Sequence, residues 1–151
     1  MANPLQIIQG DALTHARIAT RMKSSLILIL STAFSLGAMD RFEALSMLES
    51  GDNDFAVGKH GEVSRYQIMP SVWREHTQAP ISRATNGLDA GWIAMQIMDG
   101  RVEVFEVSHH KQPSDFQFAL LWHCPARVDK PTPSDVEYAK RFENLVSRKR
   151  L

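Results

Sequence analysis

The run Leu48-Glu49-Ser50-Gly51 places a carboxyl group at the end of a helical stretch, just before the break that Gly51 makes. A side chain at such a position can leave the helix surface and point into a cleft. A carboxylic acid held against apolar surroundings keeps its proton near neutral pH and can hand it to a leaving group, as cleavage of a glycosidic bond requires. Taken alone, Glu49 reads first as a solvated helix-end glutamate, as most glutamates at such positions are. Such cleavage by water needs a second carboxylate, to activate the water or to form a covalent intermediate, and Asp52, Asp54 and Glu62 lie within reach along the chain. Glu62 also reads as a solvated loop carboxylate. The pair His109-His110, with His60 elsewhere, has no carboxylate or cysteine at the spacing of a known metal site, so no metal is predicted. The single cysteine, Cys124, cannot form an internal disulfide and reads as a small buried apolar side chain rather than a reactive thiol.

The elements that must position Glu49 follow from apolar spacing. Residues 40–50 put Phe42, Leu45 and Leu48 on one helical stripe that stops at Gly51. Between Gly51 and Gly61, Gly, Asp and Asn are frequent, and a mixed segment from Glu62 to Ile68 follows, which predicts loops with at most a small hairpin before Pro70 opens a new element. Helices are predicted over 70–76 and 88–98, with Trp73, Trp92, Ile93, Met95 and Ile97 in the core. The alternation of Val102, Val104, Phe105 and Val107 hints at a strand, although helix is preferred among the charged neighbours. Residues 116–124 form a strongly apolar stretch after the capping pair Ser114-Asp115 and stop at Pro125, as a central buried helix would. Ser134 or Asp135 is expected to cap a last helix over 136–146, ahead of the basic tail Arg148-Lys149-Arg150.

Seventeen Lys and Arg balance seventeen Asp and Glu over 151 residues, so the overall charge gives no reason to expect nucleic acid as a partner. Residues 24–38, SSLILILSTAFSLGA, form an uncharged apolar run of 15 residues behind Arg17, Arg21 and Lys23. That is short for a membrane span, which takes about 20 residues, but suits a secretory signal with a cleavage zone at Ser35, Gly37 and Ala38. Residues 1–38 are therefore expected to be a signal region, with translation from Met22 giving the more compact version, and 39–151 the folded domain. An uncleaved anchor or a buried helix of the fold are the alternatives.

Residues 48–70, LESGDNDFAVGKHGEVSRYQIMP, resemble the signature of the soluble lytic transglycosylase family, in which a Glu-Ser-Gly opening runs through Asn and Ala-Val to a Gln-x-Met-Pro close. Residues 120–128, LLWHCPARV, are similar to that family's Ala-Tyr-Asn-Ala-Gly-Pro-Gly-x-Val segment, and 136–142, VEYAKRF, to its third block. The order is the family's, and the likeness covers roughly 42–146. It implies a mainly α, lysozyme-like fold with a small loop or β-hairpin region, exported to the periplasm or beyond the cell, acting on peptidoglycan glycan strands without a cofactor. Glu49 matches the catalytic acid, and Tyr138 matches a tyrosine that approaches it. Ser50, Tyr66, Gln67, Met69, Trp122 and His123 are implied to orient the acid or hold the sugar. The chain departs from the pattern at Ser64, where the family has Gly, at Arg65, where it has an apolar residue, and at His123, which replaces an Asn. His123 reads either as a replacement hydrogen-bond donor or as a buried histidine satisfied by a carbonyl, and Trp122 also reads as core. One glutamate serving as acid and then base would leave a 1,6-anhydro end. A lysozyme-type hydrolase using Glu62 or Asp52, or a weakly catalytic glycan-binding protein, remains the alternative.

Overall fold

The computed structural model describes residues 39–148, and the expected signal region lies outside them. Among the described residues five α-helices carry the fold: α1 Arg41–Ser50, α2 Pro70–His76, α3 Gly87–His109, α4 Asp115–His123 and α5 Pro133–Val146, with 3₁₀ turns at Ile81–Thr85 and Pro125–Arg127. Each begins and ends for local reasons. Asp40 caps α1 by accepting from the Phe42 N–H, and Gly51 closes it in the left-handed conformation at φ 67°, donating to the Met47 carbonyl. Pro70 occupies the first turn of α2, where a missing N–H costs nothing. Asn86 accepts from the N–H groups of Leu88 and Asp89 at the head of α3, and Ser114 forms a reciprocal capping box with Gln117 at the head of α4.

Helix α4 is the central element. Its Phe118, Ala119, Leu120 and Leu121 are buried, and it packs most extensively against α5, which in turn crosses α1. Phe118 stacks on Phe142 of α5 at 5.8 Å and meets the edge of Phe42 of α1 at 5.9 Å. Arg41 lies over the Phe118 ring at 4.9 Å while pairing with Asp115 at 2.7 Å. Helix α3 contributes Ile93, Ala94, Ile97, Met98 and Phe105 to the same core. Among the described residues no helix is long and apolar enough to cross a membrane.

The alternating segment around residues 102–107 is helical, as preferred, and continues α3, its Val104 and Val107 facing solvent. Other expectations are corrected. Trp92 and Met95 are exposed at 62% and 44%, because a rotation of about 100° per residue sets them with Leu88 on the face opposite Ala90, Ala94 and Ile97. The cap of α5 is Thr132, with Asp135 as its reciprocal partner, so the helix starts earlier than Ser134 or Asp135 would set it. The segment after Gly51 is loop, as expected, with only two isolated antiparallel bridges, Val57 with Val63 and Val63 with Ile68. Positive φ at Ser64 and Gln67 bends the chain too sharply for a ladder to extend.

Candidate active site

Glu49 projects from the last turn of α1, half-buried, beside a groove of about 460 Å³. The loop 51–69 forms one wall of this groove. Met69 and Val72 at the start of α2, Ile97 and Arg101 in the middle of α3, and Trp122 and His123 at the end of α4 supply the rest. The volume is within the range of small-ligand sites.

Burial pushes the Glu49 carboxyl above the ordinary carboxylate range, and the charge of Glu62 adds to this, whereas donors from Tyr138 and Trp122 and the more distant Arg141 pull against it. The Tyr138 hydroxyl donates to Glu49 Oε1 at 2.5 Å. Burial and the facing Glu49 charge hold the Tyr138 phenol in its protonated form, so it remains a donor. Behind Tyr138 lies a supporting stack. The His123 ring lies on the Tyr138 ring at 4.2 Å and 15°, and His123 Nε2 is 3.6 Å from Asp135 Oδ1. Asp135 is buried and fixed by two bonds from Arg127, at 2.9 and 3.0 Å, and one from the Thr132 N–H at 2.9 Å. These donors keep its carboxyl well below the usual range. Helix α5 is thereby tied at its first turn to the end of α4, and Tyr138, one turn on from Asp135, is held against Glu49.

Glu49, Glu62, Gln67, Met69, Trp122 and His123 all line the groove. Glu62 is held as a carboxylate by backbone N–H groups, including that of His60 at 2.8 Å. Gly58 lies between Glu62 and Gln67: a Cβ there would sit 2.4 Å from a side-chain oxygen of each, so any side chain would displace both. Trp122 packs edge-on to Tyr66 at 6.3 Å and is half-buried, so it is both core and groove wall. His123 is exposed on one face and stacked on the other, which rules out the buried-histidine reading.

Other expected residues lie away from the groove. The Ser50 hydroxyl donates to the Arg65 carbonyl at 2.9 Å and accepts from the Asn53 N–H at 3.0 Å, which anchors the loop. Tyr66 is buried against Phe42 and Trp122, supporting the wall from behind. Asp52 and Asp54 are not among the residues that line the groove; both are paired with Arg65, Asp54 through two nitrogens at 2.6 and 2.9 Å and Asp52 at 2.9 Å. Asp52 also accepts from the buried Ser46 hydroxyl at 2.8 Å. Arg65 is therefore the clamp that shapes the loop. Cys124 is buried and its thiol is pushed up by burial. His109, at the far end of α3, pairs with Asp129 at 2.8 Å and stacks on Phe105.

Lys59, Ile97, Arg101 and Pro125 line the groove but were not among the expected site residues. For Arg101 a signal existed: it stands four residues after Ile97 and four before Phe105, a lone charge on the buried stripe of a helix. In comparisons with known proteins, no family model, no curated sequence and no solved structure matches this chain.

Proposed function

We propose that the chain is an exported lytic transglycosylase of lysozyme-like fold that cuts the bond between the alternating amino sugars of peptidoglycan, with Glu49 as its acid. The observation that carries the reading is the Glu49 carboxyl itself: half-buried, raised in pKa, fixed by Tyr138 at 2.5 Å, and facing a groove. It is supported by the three sequence blocks that resemble the family, since the first supplies Glu49 and the groove residues Gln67 and Met69, the second Trp122 and His123, and the third Tyr138.

In this reading Glu49 protonates the glycosidic oxygen as the bond to the muramic acid C1 breaks. The C6 hydroxyl of that sugar then attacks C1, and its proton passes to the Glu49 carboxylate. The acid is regenerated, no water is consumed, and a 1,6-anhydro end results. A hydrolytic reading is favoured by one observation, that Glu62 lines the same groove as an ionised carboxylate.

Digestion of purified peptidoglycan with mass analysis of the fragments tests both. Glu49→Gln keeps the shape and removes the proton, so cleavage should fall by roughly 10²–10⁴-fold with an unchanged far-ultraviolet spectrum. Parental rates in that variant would remove Glu49 from the chemistry. Glu62→Gln should retain most activity and yield anhydro ends; near-inactivity of that variant, with reducing ends from the parent, would establish the two-carboxylate mechanism instead.

A further inference from the structure

Arg101 borders more than the groove. A second, mostly apolar hollow of about 310 Å³ shares both Arg101 and Pro125 with it, and is walled by Val104, Phe105, Leu121 and Val128 together with Ser108 and the paired His109 and Asp129. The guanidinium at this junction is fixed: Nη1 donates to the Leu121 carbonyl at 2.8 Å and the Trp122 carbonyl at 2.9 Å, and the group lies over the Trp122 ring at 5.6 Å. Those two bonds use one nitrogen of a group that carries N–H donors on three. Among the described residues Arg101 makes no other hydrogen bond and no ion pair, and Glu75 acts on it only from a distance. A preorganised, partly buried guanidinium with open donors suits a planar carboxylate.

We propose that Arg101 binds a carboxylate of the short peptide carried by the glycan strand, and that the adjoining hollow takes that peptide's small alkyl side chains. The enzyme would then prefer peptide-bearing strands. This rests on the peptidoglycan reading above. The carboxylate of a bare lactyl arm would also suit the guanidinium, but such an arm would stop there and leave the apolar hollow beyond it unused.

The test compares kcat/KM of the full chain on solubilised strands that bear peptides with the same strands stripped by an amidase, in the parent, Arg101→Gln and Val104→Glu. Binding of free muramyl dipeptide is followed separately by calorimetry. Val104 is exposed at 67%, so its substitution tests the hollow even if Arg101→Gln, which loses the bonds to the end of α4, fails to fold. A stripped strand still offers its lactyl carboxylate to Arg101, so the preference comes from the hollow: burying one or two alkyl groups there predicts a preference of roughly tenfold, carried mainly in KM, which Val104→Glu brings close to one, while Arg101→Gln weakens binding of both strand types. Muramyl dipeptide should bind the parent and bind Val104→Glu weakly. Equal kcat/KM on the two strand types, a preference for stripped strands, or a preference that survives Val104→Glu would overturn the proposal while leaving the cleavage reading intact. A parent that cleaves neither strand yet binds muramyl dipeptide in an Arg101-dependent way would do the reverse.

Discussion

At the scale of single residues, the site depends on two opposed influences on one carboxyl. Burial favours the protonated Glu49 that can act as an acid, while the Tyr138 hydroxyl, donating at 2.5 Å, favours the charged form that must receive a proton back. On the proposed function, an acid that also serves as base works best when neither form dominates, and Tyr138 is the largest of the influences that favour the charged form. Tyr138→Phe removes the donor and keeps the ring on which His123 stacks. With the charged form less favoured, the Glu49 pKa should rise further. If Glu49 is the acid of the proposed reaction, it must be protonated for the first step, so the alkaline limb of the pH–activity profile should then move to higher pH, with a lower maximum rate. A limb that stays in place, or moves to lower pH, would show that Tyr138 does not tune Glu49. The sequence carried the pairing of these two residues only through family resemblance, since 89 positions separate them and no local pattern links them.

At the scale of elements, the capping chemistry was written in short-range order and the loop was not. Gly51, Asn86 and Ser114 act where spacing and residue type place them, each satisfying N–H or C=O groups within a few residues. The loop 51–69 is held by long-range pairing instead: Arg65 gathers Asp52 and Asp54, and Ser50 reaches across to the Arg65 carbonyl. Three carboxylates close in sequence looked alike as partners for Glu49, and only the position of Arg65 in space separates Asp52 and Asp54 from Glu62. Ser64 shows the cost of this arrangement. It is fully buried at φ 73°, where a residue with a Cβ is strained by roughly 1–2 kcal/mol, and its hydroxyl recovers part of this by accepting from the Tyr66 N–H at 3.3 Å. Ser64→Gly should therefore stabilise the domain by about 1 kcal/mol, which raises Tm by roughly 4 °C in calorimetry. A lower Tm would mean that the hydroxyl bond outweighs the backbone strain.

At the scale of the whole molecule, the groove is a joint product of the described elements, with walls from α1 to α4 and the loop, and with α5 behind Glu49 through Tyr138. The mainly helical architecture was legible because helices announce themselves in apolar periodicity. Which face of α3 meets the core was less so, since Leu88, Trp92 and Met95 form a stripe as regular as the buried one. The outcome gives the three tryptophans three different surroundings. Trp73 is sealed in the core and donates to the Ala79 carbonyl, Trp92 stands in solvent, and Trp122 shares the groove with Glu49. The protein thus contains its own optical reporters: red-edge emission belongs to Trp92, blue emission to Trp73, and only Trp122 can sense an occupied groove. Titrating the inactive Glu49→Gln protein with glycan fragments should change its fluorescence, and the change should vanish when Trp122→Phe is added and persist when Trp92→Phe is added. A response that disappears with Trp92 instead would place the glycan on the outer face of α3, so emission alone can locate the bound strand without any cleavage taking place.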